Sequence, residues 1–169
     1  MEAVVVRWHG PYTFNQASQQ TDPGLYLAWG RRRTGRPWKN PRLLYCGLSE
    51  DARGVGARVA AHQEAEWAHP DNSWWIGRVH LPAPALRRHL EVAEWGVIYF
   101  ANPFFNEKKK ARPPKDECYL INEWRHHDGR LRIHQKGKGA AERIPDAICW
   151  SPENEGVRHA QRLAFSRVD

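Results

Sequence analysis

The amino-acid sequence predicts an α+β fold, and three observations carry that expectation. Short apolar runs rich in β-branched and aromatic residues recur through the first half of the chain. Two longer stretches of helical composition are set among them. Turn-forming Pro, Gly, Asp and Asn residues separate the segments.

Taken in order, residues 2–8 (EAVVVRW) read as a strand. Residues 24–30 (GLYLAWG) are a second strand, introduced by Asp22-Pro23, and residues 42–47 (RLLYCG) a third. Between these two lies a basic hairpin loop, RRRTGRPWKNP. Residues 54–67 have helical composition and end at His69-Pro70-Asp71-Asn72. Residues 73–81 (SWWIGRVHL) read as a strand closed by Pro82, and residues 84–101 as a long helix. A second basic loop follows, NEKKKARPPK. Residues 116–125 (DECYLINEWR) read as a short helix, LRIH as part of a hairpin, and residues 155–165 as an amphipathic helix with Val157, Ala160, Leu163 and Ala164 at helical spacing. The chain contains neither an internal repeat nor a low-complexity block.

With 169 residues and 41% hydrophobic composition, the chain is read as one domain with a real core, 1–169. Nine Trp argue against disorder. Lys and Arg outnumber Asp and Glu by 26 to 19, giving net +7 and a pI near 9.6. That excess favours an anionic partner, nucleic acid or a membrane surface. No apolar run is long enough to span a membrane, and MEAVVVRWHG lacks the layout of a secretory signal. Cys46, Cys118 and Cys149 are widely spaced and form no CxxC pair, which argues against a zinc knuckle or disulfide framework and fits a reducing cytoplasm.

Several residues stand out against this background. Strand alternation puts Leu25, Leu27 and Trp29 on one face and Tyr26 on the other; likewise it puts Leu44 and Cys46 opposite Tyr45. If the apolar sets point inward, Tyr26 and Tyr45 both project to the opposite surface. Arg58 and His62 are i, i+4 neighbours in the next helical stretch. Leu90, Glu94 and Ile98 share one helical face, where a carboxylate is costly unless it is paired, at a rim, or holding a metal. A surface ion pair with Arg87 or Arg88 is the plain alternative. His126 and His127, being adjacent in RHHD, cannot both face one site, so this segment reads as a polar loop.

Taken together, these residues resemble the GIY-YIG nuclease superfamily, over roughly Pro23 to Asn106. Gly24-Leu25-Tyr26 matches the first motif and Tyr45-Cys46-Gly47 the second, with Cys in place of the usual aliphatic residue. Arg58-Val59-Ala60-Ala61-His62 resembles the Arg-x-x-x-His element, and Glu94, Ile98, Pro103 and Asn106 resemble the family's Glu, Ile, Pro and Asn run. The basic hairpin is longer than in minimal members. Leu48 stands where many members carry a lysine soon after the second motif, so any role of that lysine is either absent or supplied elsewhere, with Arg31 to Arg33 or Lys39 as the candidates.

The resemblance implies a small central antiparallel or mixed sheet flanked by helices, with a catalytic core of about 23–106 and a C-terminal extension of about 107–169. It implies phosphodiester hydrolysis in DNA by a compact restriction-type or host-defence endonuclease, with double-stranded DNA as partner and Mg²⁺ or Mn²⁺ as cofactor. Glu94 would be the metal ligand and Arg58 the phosphate clamp. Tyr26 would orient or deprotonate the attacking water, with His62 accepting that proton or holding the phenol. Tyr45 would share that role or bind phosphate, and Asn106 would brace the site. Beside such a site, Arg31, Arg32, Arg33, Arg36 and Lys39 of the first loop and Lys108, Lys109, Lys110 and Arg112 of the second read as backbone contacts. The C-terminal helix would pack on the core or form a homodimer contact. A catalytically silent nucleic-acid-binding module and a relatively non-specific toxin-like or repair nuclease are the alternatives.

Overall fold

The computed structural model describes residues 3–32, 35, 38–132, 144–152 and, as backbone alone, 159–161. Arg33 and Arg36 therefore lie outside the described residues, as does most of the anticipated C-terminal helix. The fold is α+β. Strands β1 (Ala3–Tyr12), β2 (Gly24–Gly30), β3 (Arg42–Ser49), β4 (Ser73–Leu81), β5 (Cys118–Arg125), β6 (Ala147–Trp150) and β7 (His159–Gln161) alternate with helices α1 (Phe14–Ser18), α2 (Gly54–Ala60) and α3 (Arg87–Ala101). The strands form one sheet in the order β3-β2-β4-β1-β5-β6-β7. The sheet is mixed: β1 and β5 run parallel, and every other neighbouring pair is antiparallel. Strands of the 107–169 stretch thus continue the sheet begun by the first half. Among the described residues, no helix is long and apolar enough to cross a membrane.

Each face of the sheet has its own core. On one face α3 lays Leu90, Ala93, Val97 and Ile98 against Val6, Trp8, Leu25, Leu27, Trp75 and Leu120. On the other, Val55 and Val59 of α2 and Ala17 of α1 cover Tyr26, Ala28, Leu44, Trp74 and Ile76. Both faces of β2 are therefore covered, and its side chains are buried almost throughout. Full burial of each leucine contributes about 1.5–3 kcal/mol. The surface to which alternation assigned Tyr26 is thus a second interior: Tyr26 is 1% exposed.

Three sequence expectations are corrected. Residues 116–125 supply a strand, β5, rather than a short helix. Leu120 and Trp124 alternate onto the α3 face, and the strand pairs along β1 from Ala3↔Tyr119 to His9↔Arg125. Long-range pairing overrides a locally helical composition here. Within the expected C-terminal helix, His159–Gln161 instead pairs antiparallel with β6. The helix expected over 54–67 stops at Ala60, because Trp67 and Ala68 turn inward to join the core under Tyr26. Helix α1 follows Thr13 with a reciprocal capping box, Gln16 N–H to Thr13 Oγ1 and Thr13 N–H to Gln16 Oε1.

Candidate functional site

The site begins at the β2–β3 pairing. Tyr26 lies opposite Gly47, and a Cβ at position 47 would stand 2.5 Å from the tyrosine's Cζ and hydroxyl oxygen. The bare glycine is what gives the phenol its place across β3. One step along, the ladder slips: Ala28 pairs with Tyr45 but Trp29 pairs with Leu43. Leu44 is the extra residue of this bulge. Leu44 and Tyr45 consequently both serve the α2 face, while Leu43 and Cys46 serve the α3 face. Strict alternation had put Leu44 with Cys46; the bulge corrects it.

Helix α2 buries Val55 and Val59 and leaves Arg58 exposed. His62 follows in the closing turn, its N–H donating to the Val59 carbonyl at 3.0 Å. The two side chains meet at Tyr26. Its hydroxyl lies 3.1 Å from His62 Nε2, and the Arg58 charge acts on it. Tyr45 is sandwiched, stacked on Trp67 at 4.4 Å and 4° and on Tyr26 at 6.0 Å and 27°. Trp67 carried no local signal, because its stretch reads as the tail of a helix.

Burial sets the protonation of this group. It pushes the Tyr26 phenol well above its ordinary range, against the opposing Arg58 charge. Burial also raises Tyr45, with the Glu94 carboxylate adding to the effect. His62 is lowered, first by burial and then by Arg58. Near neutral pH both phenols keep their protons and the imidazole is neutral. The phenol O–H then donates to the unprotonated Nε2 of His62. This favours an orienting role for Tyr26 over deprotonation of water.

Helix α3 brings Glu94 around the edge of the sheet. Asn102 ends the helix in the left-handed conformation, φ 49°, with its N–H on the Ile98 carbonyl. After Pro103 the chain turns back along β3. Phe104 and Phe105 donate backbone N–H bonds to the carbonyls of Leu43 (3.0 Å) and Leu44 (2.8 Å). Asn106 grips Cys46 from both sides, accepting its N–H at 2.9 Å and donating to its carbonyl at 2.8 Å. Asn106 thereby braces β3 beside Tyr45.

The Glu94 side chain is 14% exposed and ion-paired to the ammonium of Lys109. Of the expected surface partners, Arg87 pairs with Glu50 and Glu91 instead. Lys109 has a left-handed backbone, φ 68°, a conformation uncommon outside glycine and asparagine. Its ammonium also lies 5.7 Å from the Trp95 ring centroid. The cation beside Glu94 is thus Lys109 of the loop after α3, and not one of the hairpin cations Arg31, Arg32 or Lys39.

These elements enclose a cleft of about 630 Å³ lined by Tyr45, Arg58, Glu94, Asn106, Lys108 and Lys109, with Glu91 at its rim. Tyr26 and His62 stand behind Tyr45. Of the other basic residues, Arg31 and Lys39 are exposed on the hairpin and Arg32 lies 5.7 Å from the Trp38 ring. Lys110 donates to the Phe104 carbonyl at 3.2 Å. Arg112 is exposed, its carbonyl accepting the Trp95 indole N–H. RHHD closes β5 as a turn, with Gly129 N–H on the His126 carbonyl.

Among the described residues, no three His, Cys, Asp or Glu side chains form a cluster. The donor set suits a hard divalent cation: one carboxylate at an open cleft, already neutralised by a cation on a flexible stem, with Glu91 nearby. Comparison with protein-family models, with curated proteins and with solved structures finds no match for this chain.

Proposed function

We propose that this chain is a divalent-metal-dependent endonuclease that hydrolyses phosphodiester bonds in DNA, of the compact GIY-YIG restriction or host-defence type. One observation carries the reading: Tyr45, Arg58, Glu94 and Asn106, drawn from β3, α2, α3 and the loop after α3, line a single cleft. Tyr26 and His62 are hydrogen-bonded directly behind it.

In this reading Glu94 would hold Mg²⁺ or Mn²⁺. When bound, the metal supplies Lewis-acid polarisation of the phosphate and a more acidic water. The exposed Arg58 guanidinium clamps the scissile phosphate through its planar fork. The Tyr26 hydroxyl, paired with His62 behind the cleft, orients the groups that line it. Tyr45, held flat by Trp67, presents its hydroxyl to the phosphate. Asn106 fixes the strand under Tyr45 and touches no substrate. Lys109, once off Glu94, adds positive charge to the developing phosphorane.

Plasmid cleavage with Mg²⁺, with and without EDTA, tests this. Wild type is expected to cut and EDTA to stop it, while Glu94→Ala loses turnover and retains duplex affinity. Discrete fragments indicate a recognised sequence, and a smear a non-specific nuclease. Equal activity in Glu94→Ala removes the assignment. The Lys109 pair on Glu94 favours one second reading, a silent nucleic-acid-binding module, which predicts duplex binding with no cleavage under any metal.

A further inference from the structure

The two basic loops that lie far apart in sequence meet in space, and they meet around a second cleft. Trp38 of the hairpin packs edge-on against Phe104 at 4.6 Å and beside Phe105 at 6.4 Å. The Arg42 guanidinium lies 4.8 Å from the Trp38 ring centroid. A backbone bond from Phe104 N–H to the Leu43 carbonyl and a side-chain bond from the Lys110 ammonium to the Phe104 carbonyl complete the junction. The resulting cleft, about 450 Å³, is lined by Arg42 and Lys110, by the amides Asn40 and Asn102, and by Trp29 and Phe104.

Its charge differs from that of the first cleft. There, Lys109 faces Glu94, and Arg87 faces Glu50 and Glu91. Here, none of the lining residues carries a carboxylate. Lys110 is lowered by burial, with no neighbouring charge contributing. A partly desolvated ammonium and an exposed guanidinium, with no carboxylate among the described lining residues, favour an incoming anion. Two amides and an indole wall suit the sugar and base that a phosphate brings with it. Phe104 lines this cleft while Phe105 and Asn106 line the first, so the two clefts flank one three-residue segment.

We infer that this cleft binds a backbone phosphate of the nucleic acid adjacent to the cleaved bond, with Arg42 and Lys110 as the contacting cations. The inference rests on the reading of the first cleft as a phosphodiesterase site and extends it to a subsite. Arg42, which belongs to a strand rather than to a loop, anchors this subsite rigidly.

The test is binding of a labelled defined duplex across a salt series in EDTA, so that no cleavage intervenes. Arg42→Gln and Lys110→Gln are each expected to weaken binding and lower the log–log salt slope by about 0.9, the value for one lost phosphate contact. Arg42→Lys and Lys110→Arg are expected to restore the slope. Arg130→Gln, a charge-matched change in the turn after β5, is expected to leave it unaltered. Thermal melts confirm that each variant is folded. Wild-type slope and affinity in both glutamine variants overturn the subsite and leave the nuclease reading standing. An equal loss in Arg130→Gln overturns it too, as bulk charge alone. A labelled nucleoside monophosphate that binds wild type and is lost in both glutamine variants, while duplex binding is unaltered in them, makes the cleft a nucleotide pocket and overturns the subsite. A wild type that binds no duplex removes the nuclease reading and the subsite together.

Discussion

Leu25 and Tyr26 are neighbours on β2, and both are essentially inaccessible, at 0% and 1% exposure. Their surroundings have little else in common. Leu25 meets Trp8, Trp75 and α3 in a dry hydrocarbon layer. Tyr26 enters a layer with an imidazole, a guanidinium and a second phenol. One residue of strand alternation separates packing from chemistry, and burial by itself does not distinguish the two. What covers the side chain does.

Substitutions at these two positions sharpen the contrast. Leu25→Ala is expected to cost about 2–5 kcal/mol of stability, read as a shift in the denaturant midpoint, with the folded fraction keeping its activity. Tyr26→Phe keeps the ring over Gly47 and loses only the hydroxyl. It is expected to cost under about 1.5 kcal/mol in stability and to lower turnover by about 10²-fold. If Tyr26→Phe proves fully active, the polar layer is structural and the contrast collapses.

Arg58→Ala is expected to lower kcat by about 10²-fold or more through lost charge stabilisation, with its melting temperature close to wild type because the side chain is exposed. A variant that unfolds instead would move Arg58 to the structural side. Asn106→Ala breaks two bonds to the Cys46 backbone and leaves both groups unpaired, at a cost of about 1–3 kcal/mol. Hydrogen exchange at the Cys46 amide should accelerate in that variant, and an unchanged exchange rate would show that the brace is redundant.

The smallest effect is pH dependence. His62 is held below its ordinary 6.5 in the folded chain, so between the two values the unfolded chain binds more protons. The stability it contributes is complete above pH 6.5 and is lost as pH falls through the lower, folded value. His62→Asn is expected to flatten the acid side of the stability curve, the residual slope coming from His9, which is lowered in the same direction. An acid limb identical to wild type would take His62 out of the polar layer.

The first four strands and α3 were legible because their apolar runs are dense and bounded by Pro, Gly and Asn. The resemblance led to the expectation that Arg58, His62, Glu94 and Asn106 lie together; Arg58, Glu94 and Asn106 line one cleft and His62 bonds Tyr26 behind it. Strand β5 was not, since Glu117, Glu123 and Arg125 give DECYLINEWR a helix-like polarity that only its pairing with β1 overrides. The bulge at Leu44 and the stacking of Trp67 on Tyr45 are set by contacts between distant segments, for which no local pattern exists. Lys109 was read as one of several loop cations; its pairing with Glu94 depends on a left-handed backbone that a run of three lysines does not announce. Thr13-x-x-Gln16, by contrast, was a readable cap that sequence inspection passed over.

The return of Phe104–Asn106 along β3 also bears on how copies of this protein meet. An unpaired outer strand is a template for sheet extension and for aggregation. Here the carbonyls of Leu43 and Leu44 and both backbone groups of Cys46 are occupied from within the same chain. That margin is sealed against strand addition, so association through β3 would first have to peel away the segment that separates the two clefts.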